Sequence, residues 1–526
     1  MKKIQVLQLG ARDYSKLMPV SDRAEWHYEP DFSKLPEDRF DIFDLAILDR
    51  EITEDELHDL FRFLRAYTLF ITEIVPVDRG SPTWQLMLRR RGKQVSPEEL
   101  GTLLEEDLPD YFSESYGVKC LPYDLSVAQG FQGKTVWRGF EGVDLTGDFG
   151  DEMTQIAFWR YNVLINRDQT YEFWLEYTKD ASVELSLEFS AFSFLYSAVP
   201  QSIETWTFSE NDLKDIVYIE NKSSGMNGFI FASLKAKGQG TLTVTALHNR
   251  LSRKGKGAFL PGGGRSVTSE REEIFYFFDP GNLRPPLNVY FSGYKTLEGF
   301  EGYHMLRNMA HPFLLISESR LEGGAFYIGS DEYEREIEQI IRNCMDELGF
   351  RNTDVILSGI SGGSYGALYY GCRLHPHTIL LGKPLASMGD IAKNERLNRP
   401  GGFPTSLDML HKFCGNLSPE AVIRLNSRFW DTFDRTEWDG TQFAVAYMLE
   451  DDYDGTAYEN LQLHLKGAHV RIFGKGIHGR HNDDTTGIVN WFLKQYKRII
   501  QEHFDDARSE TGGRKNGEAV MEDLLE

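Results

Sequence analysis

The chain has 526 residues, of which 57 are basic and 80 acidic, so its formal charge at neutral pH is −23. This negative balance argues against a protein that coats nucleic acid, because binding to phosphates requires a basic surface. Hydrophobic residues make up 41% and aromatic residues 13% of the chain, enough for sizeable cores and against global disorder. The length predicts about three domains.

The four cysteines are scattered without a CxxC pair, which disfavours a disulfide framework and a zinc site. No stretch approaches the roughly 20 consecutive apolar residues that a membrane-spanning helix requires. The apolar stretch after Met1 is interrupted by polar residues, unlike the core of a signal peptide. We therefore expect a cytoplasmic protein.

Residues 1–120 carry a small α/β pattern. Ile4–Leu9 and Leu45–Leu48 predict short buried strands. Thr53 and Glu56 have the spacing of a capping box, which predicts the start of a helix. No GxGxxG follows the first strand, so we predict a Rossmann-like region without a dinucleotide site.

Between residues 121 and 280 the hydrophobic period changes to two, and turn residues separate the apolar stretches up to Ile274–Phe278. This pattern predicts an antiparallel β-sandwich. Aromatic side chains on such a sheet can stack on sugar rings, which would make it a platform for a glycan or a partner, although filling the core is their commoner role. Trp159, Trp174 and Trp206 lie within this region.

Residues 281–505 alternate between strand and helix patterns, which predicts a mainly parallel sheet covered on both faces, as in an α/β-hydrolase-like domain. Asp331–Leu348 has helical periodicity, and Gly349 ends it. The stretch between the strands near residues 380 and 445 is too long for an ordinary crossover and predicts a helical insertion over the site. Residues 506–526 are polar and predict a disordered tail.

The segment Gly359-Ile360-Ser361-Gly362-Gly363 matches G-x-S-x-G. A buried strand pattern, Val355–Leu357, precedes it and a helix of small residues follows, as in a nucleophile elbow. Ser361 is then the candidate nucleophile, and the N–H of Gly362 is a candidate oxyanion donor. An ordinary glycine turn and a nucleophilic Ser364 are the alternatives.

The order serine, acid, histidine is that of an α/β-hydrolase triad. Acidic residues follow the strand pattern that ends at Leu449, and we favour Asp451 over Glu450 and Asp452 as the triad acid. A histidine after the last strand would act as the base. His481 is our first choice and His478 the alternative, because His481 lies nearer the last helix.

The second oxyanion donor should come from the loop after an earlier strand. Gly293 and Tyr294 are the candidates, with Lys295 as a further choice. A metal site could be imagined in the last histidine-containing loop, but its spacing matches no recognised metal motif, so we predict no metal. The residues of that alternative are His478, His481, Asp483 and Asp484.

Three segments resemble the second accessory secretory protein (Asp-two) family of Gram-positive bacteria. They are Gly359–Ala367, Ala446–Asp454 and Gly479–Asp483. The resemblance covers nearly the whole chain. It implies membership of the accessory Sec system, which exports serine-rich repeat glycoprotein adhesins.

The resemblance implies two functions. One is O-acetylation of N-acetylglucosamine on the adhesin by Ser361, His481 and an acid within Glu450–Asp452. The acetyl donor expected in the cytoplasm is acetyl-CoA, with no tightly bound cofactor. The other function is export in a complex with the first and third accessory secretory proteins, the dedicated second SecA ATPase and the glycosylated adhesin. That complex would place the protein at the inner face of the membrane through the translocase.

Two other functions remain open from the sequence. A serine carbohydrate esterase would use the same catalytic residues, because only the acceptor differs between hydrolysis and transfer. A scaffold of the export complex could retain the fold without catalysis, since fold alone does not imply function.

Overall fold

The structure is a computed structural model that describes residues 2–32, 43–76, 78–160, 163–166, 168–193, 202–221, 228–320 and 325–505. The predicted tail at 506–526 lies outside the described residues. The fold is mixed α/β and contains three sheets. Within the described residues, no helix is both long and apolar enough to cross a lipid bilayer.

The first sheet is parallel, with the strand order β2-β1-β3-β4-β5. Its strands are β1 (Ile4–Gly10), β2 (Ala24–Glu29), β3 (Leu45–Asp49), β4 (Leu69–Thr72) and β5 (Lys93–Val95). Its helices are α1 (Glu54–Leu60), α2 (Pro82–Arg89) and α3 (Pro97–Thr102). Thr53 and Glu56 form the predicted capping box at the start of α1. Apolar side chains of β1 divide between two hydrophobic clusters, so both faces of this sheet are covered.

The second sheet is antiparallel and has ten strands. They are β6 (Gly117–Cys120), β7 (Leu125–Val127), β8 (Lys134–Arg138), β9 (Gly142–Trp159), β10 (Val163–Ile165), β11 (Thr170–Lys179), β12 (Val183–Ser193), β13 (Ser202–Ser209), β14 (Val217–Glu220) and β15 (Gly228–Leu251). The predicted alternation is present, since Val183, Leu185, Leu187 and Phe189 are all buried. The two separate sheets of a sandwich are joined here into one, because β15 is long enough to pair with strands along its whole length. The pairing of β9 with β15 changes register around Leu234 to Gln239, as β-bulges do.

The third sheet has eight strands in the order β16-β17-β19-β18-β20-β21-β22-β23. They are β16 (Gly264–Val267), β17 (Glu273–Asp279), β18 (Leu287–Phe291), β19 (Phe313–Glu318), β20 (Val355–Ile360), β21 (Thr378–Gly382), β22 (Asp439–Met448) and β23 (His469–Ile477). The strands from β18 onwards are parallel. Our placement of Ile274–Phe278 in the sandwich is wrong, because β17 pairs with β19. A continuous apolar run of this kind suits a strand that is buried on both faces.

The helices that follow the second sheet pack around the third. They are α4 (Tyr303–Arg307), α5 (Asp331–Leu348), α6 (Gly362–Leu374), α7 (Met388–Leu397), α8 (Ser406–Cys414), α9 (Pro419–Arg435), α10 (Ala457–His464) and α11 (Thr485–Ile500). Helix α5 has the predicted bounds, and Gly349 caps it with a φ of 71°. Helices α7 to α9 form the predicted insertion between β21 and β22.

Candidate active site

Ser361 occupies a strained turn between β20 and α6, with φ 55° and ψ −123°. Its N–H donates to the carbonyl of Gly382 at 2.8 Å, which ties the turn to the neighbouring strand. A Cβ on Gly359 would overlap the carbonyl oxygen of Gly363, and a Cβ on Gly363 would overlap that of Phe291. The glycines of the motif are therefore required by the close approach of strand and helix.

The hydroxyl of Ser361 lies 2.9 Å from Nε2 of His481, and Nδ1 of the same ring lies 2.7 Å from Oδ2 of Asp451. An ionised carboxylate only accepts hydrogen bonds, so Nδ1–H of His481 donates to Asp451 and the unprotonated Nε2 accepts from the serine hydroxyl. His481 is 2% exposed. The three side chains form one hydrogen-bonded chain that runs from the half-buried Ser361 inward to Asp451, with the geometry of nucleophile, base and orienting acid.

Sheet order brings these residues together. Ser361 follows β20, Asp451 follows β22, and His481 lies between β23 and α11. Because β20 to β23 are parallel neighbours, their carboxyl ends share one edge of the sheet, where sites of α/β proteins form.

The other acid and base candidates lie elsewhere. Glu450 accepts from the N–H of Gly479 at 2.6 Å and contacts Nδ1 of His478 at 3.1 Å, and both side chains are exposed. Asp452 accepts the main-chain N–H of His481 at 3.2 Å but does not contact its ring. Asp451 is thus the carboxylate that the structure places against the imidazole.

The pKa values of two aspartates in this loop, Asp451 and Asp454, are shifted in opposite directions. Burial raises the pKa of Asp451, but hydrogen bonds from His481 and from the N–H groups of Tyr453 and Asp454 outweigh it and lower the pKa below its usual value. Burial raises the pKa of Asp454 to about 6 against two N–H groups that lower it. Asp451 therefore stays ionised at neutral pH, as an orienting acid must.

The chain matches the family described as Accessory Sec system GspB-transporter over residues 4–506. The chain belongs to this family. It is 38% identical over 512 residues to the accessory Sec system protein Asp-two of Streptococcus gordonii. This similarity covers 95% of this chain and 99% of that protein. It is 42% identical over 393 residues to the Staphylococcus aureus protein of the same name, covering 75% of this chain and 74% of that one. The resemblance seen in the sequence is confirmed.

A solved structure of a relative has the same fold over nearly its full length. It is a chain of the Glycosylation Associate Protein (Gap123) complex from Streptococcus agalactiae, with a TM-score of 0.82 and 32% sequence identity. The similarity covers 96% of this chain and 99% of that chain. This Asp-two family member therefore shares its fold with that relative over nearly the whole chain.

The oxyanion candidates differ in what their N–H groups contact. Gly362 is the first residue of α6, where a helix leaves N–H groups without intrahelical partners. The nitrogen of Tyr294 lies 3.7 Å from the position that a Cβ on Gly362 would take, so the main chain of Tyr294 lies close to that of Gly362. The N–H of Gly293 instead donates to Glu301 at 2.7 Å, and Lys295 directs its ammonium to the carbonyl of Phe300.

The hydroxyl of Ser364 is engaged in hydrogen bonds to the protein main chain. It donates to the carbonyl of Ser361 at 2.5 Å and accepts the N–H of Leu385 at 2.9 Å. Both bonds are internal to the protein, and the side chain is buried. The rival nucleophile is thus already used to hold the elbow against the next loop.

The four residues of the metal alternative do not converge. Asp483 accepts the N–H of Arg480, and Asp484 caps α11 through Gly487. Among the residues that the structure describes, possible metal ligands converge at Glu176, His248 and Glu273 instead. The guanidinium of Arg250 pairs with Glu273 there at 2.5 Å, so an arginine cation already neutralises that carboxylate.

The sequence did not reveal most of the residues that line the cleft above Ser361. The cleft measures about 460 Å³. Its further lining residues are Tyr294, Arg399, Pro400, Gly401, Gly402, Phe403, Tyr453, His481 and Asn482. The ring of Tyr453 packs edge-on against His481 with centroids 4.5 Å apart. The run Pro400-Gly401-Gly402 in the middle of the helical insertion was the available signal for a loop near the site.

Proposed function

We propose that this protein is a serine-dependent O-acetyltransferase that acetylates N-acetylglucosamine on serine-rich repeat glycoprotein adhesins. The observation that carries the proposal is the hydrogen-bonded chain from Ser361 through His481 to Asp451. Membership of an accessory Sec family supports the choice of substrate, because such a protein would meet the adhesin before export.

The proposed reaction has two half-reactions. In the first, His481 takes the proton of the Ser361 hydroxyl as the oxygen attacks the acetyl carbonyl of the donor, for which acetyl-CoA is the expected compound. The tetrahedral oxyanion would lie against the N–H groups of Gly362 and Tyr294. The leaving group departs with the proton from His481, and Ser361 carries the acetyl ester.

In the second half-reaction a sugar hydroxyl gives its proton to His481 and attacks the acetyl-serine. Collapse of the second tetrahedral intermediate returns the proton to Ser361 and releases the O-acetylated sugar. Throughout, Asp451 holds the ring and stabilises the imidazolium that forms twice. Aromatic rings of Phe403 and Tyr453 line the cleft, and an acceptor sugar packed against them would displace water near the ester and so favour transfer over hydrolysis.

We also propose a role in the export complex. The Streptococcus agalactiae relative was solved as part of the Gap123 complex, which supports assembly of this protein into a complex, and the first and third accessory secretory proteins are the partners that the family resemblance implies. The second SecA ATPase and the glycosylated adhesin would be further partners, at the cytoplasmic face of the membrane. This role needs surfaces outside the catalytic cleft, so it should survive loss of Ser361.

The test is mass spectrometry of the exported adhesin from cells that carry wild-type protein or Ser361→Ala at matched levels. His478→Ala is the control, because this exposed histidine lies beside the site without contacting Ser361 or Asp451. Loss of acetyl groups only with Ser361→Ala, with export and partner co-purification retained, would support both roles. Unchanged acetylation would refute the transferase, and increased acetylation would identify a deacetylating esterase.

A further inference from the structure

The four tryptophans of the second sheet have different environments. Trp137 on β8 is 46% exposed and lines a separate cleft together with Tyr123. Trp159 and Trp174 are 1% and 2% exposed and belong to the protein interior. Guanidinium groups of Arg265 and Arg271 cover the ring of Trp174. Trp206 is half-buried and lines an open cleft of about 680 Å³, which is within the usual size of ligand sites.

The cleft lies between β13 and β14, the two end strands of the path β13-β12-β15-β11-β14. Each strand contributes one aromatic ring and one carboxylate at positions two apart. On β13 these are Trp206 and Glu204, and on β14 they are Tyr218 and Glu220. Positions two apart on a strand share a face, so each ring is next to a carboxylate of its own strand. Thr170, Lys254 and Gly255 complete the lining.

We propose that this cleft, the Trp206 cleft, is a second and non-catalytic binding site for an uncharged pyranose oligosaccharide. The C–H face of a pyranose is apolar and packs on the face of an indole or phenol ring, while its hydroxyl groups lie around the edge of the ring. Carboxylates are strong acceptors for such hydroxyl groups, and a lysine ammonium is a donor. Tyr218 is 48% exposed, as a stacking surface for a soluble ligand requires.

The charges of the residues that line the cleft argue against an anionic ligand. Among the described residues that line the cleft, Glu204 and Glu220 are acidic and Lys254 is basic, so the lining disfavours a phosphate or another anion. An extended peptide could instead add by main-chain hydrogen bonds to the outer edge of β13 or β14, where the described residues place no further strand. Such a peptide would depend on backbone pairing, whereas a sugar would depend on the aromatic and carboxylate side chains.

Only the identity of the glycan rests on the proposed function. If the acceptor is a glycan rich in N-acetylglucosamine, the Trp206 cleft would hold one part of that glycan while another sugar enters the cleft at Ser361. Binding here requires none of the catalytic residues. A substrate with many repeats would gain from two contacts, because the second becomes intramolecular.

The experiment is calorimetric or NMR titration of the full chain carrying Ser361→Ala with the β1,4-linked trimer of N-acetylglucosamine. Maltotriose serves as the comparison sugar. The test variants are Tyr218→Ala and Glu204→Gln, since Trp206 also packs against the core and its removal risks the fold. The control is Tyr123→Ala, a tyrosine of 50% exposure on another part of the chain. Thermal unfolding verifies that each variant is folded.

We expect the N-acetylglucosamine trimer to bind and to lose at least about tenfold in affinity with each test variant, in the range that one stacking ring or one hydrogen bond contributes. The control should stay within about twofold. Failure of both sugars to bind at millimolar concentration, or equal binding by test and control variants, would overturn the proposal. Binding of a strand-forming peptide in place of sugar would overturn it in favour of edge pairing. Acetyl transfer measured separately in the Ser361 protein distinguishes failure of the catalytic proposal from failure of this one.

Discussion

The main-chain N–H of His481 donates to Oδ1 of Asp452 at 3.2 Å, while the neighbouring aspartate binds the imidazole of the same residue. Two consecutive carboxylates thus hold one histidine, one through its backbone and one through its ring. The other oxygen of Asp452 pairs with the guanidinium of Arg399, which belongs to the loop between α7 and α8. The helical insertion is therefore linked directly to the catalytic loop.

Asp452→Ala should lower kcat for acetyl transfer about 10–100-fold, because a misplacement of about 1 Å at a reacting group has an effect of that size. Asp452→Asn should recover most of the activity, since its side-chain oxygen can still accept the His481 N–H. The measurement is steady-state transfer to an N-acetylglucosamine acceptor. Equal losses in both variants would show that Asp452 acts through its charge and not through the position of His481.

Asp451→Asn should lower kcat by about 10³–10⁴-fold, because an amide favours the wrong tautomer of His481 and gives no charge to stabilise the imidazolium. Glu450→Gln is the matched control, since that side chain is exposed and contacts His478. It should change kcat by no more than about twofold. If Glu450→Gln were the more damaging of the two, Asp451 would not be the orienting acid.

The sequence predicted those parts of the site that depend on local chain geometry. The glycines around Ser361 are needed within a single turn of five residues, Gly359 to Gly363. Because the requirement is confined to consecutive residues, it was visible as a pattern in the sequence. Arg399 lies in the insertion of roughly 55 residues between β21 and β22. Its contact with Asp452 depends on how that insertion folds back over the sheet, and no local sequence pattern encodes this. Strand β17 was misplaced because hydrophobic periodicity identifies a strand without identifying its partner.

The buried carboxylate of Asp454 should make folding stability depend on pH. Its Oδ2 accepts the N–H groups of Ala386 and Ser387, both at 2.8 Å. Burial raises its pKa to about 6. A carboxyl group with a raised pKa in the folded state binds more protons folded than unfolded, so its contribution falls as pH rises from about 4 to about 6.

Asp454→Asn should retain both hydrogen bonds and remove the buried charge. We expect the free energy of unfolding near pH 7 to rise by up to roughly 2–3 kcal/mol, with a flatter profile between pH 4 and 6. Asp454→Ala should lower stability, because it leaves two buried N–H groups without their acceptor. Urea unfolding of the three proteins across that pH range makes the comparison, and parallel wild-type and Asn profiles would contradict it.

His248 should produce a pH dependence of the opposite sign. It is fully buried on β15, with Nδ1 2.6 Å from Glu298 and Nε2 3.2 Å from Glu176. Burial would lower its pKa, but the carboxylates of Glu298 and Glu176 raise it to about 9. A histidine with a raised folded pKa contributes its full stability below about pH 6.5, its unfolded value, and loses it as pH rises through about 9.

His248→Gln should therefore lower the free energy of unfolding by about 3 kcal/mol at pH 6, and the difference from wild type should shrink as pH approaches 10. His469→Gln is the control, because His469 makes a similar pair with Asp439 but its side chain is 93% exposed. That substitution should change stability little at any pH. Glu298 lies in the segment between β18 and α4, so its contact with His248 joins the third-sheet region to the second sheet. If the difference in free energy of unfolding stayed constant across this pH range, this contact would not depend on a charged histidine.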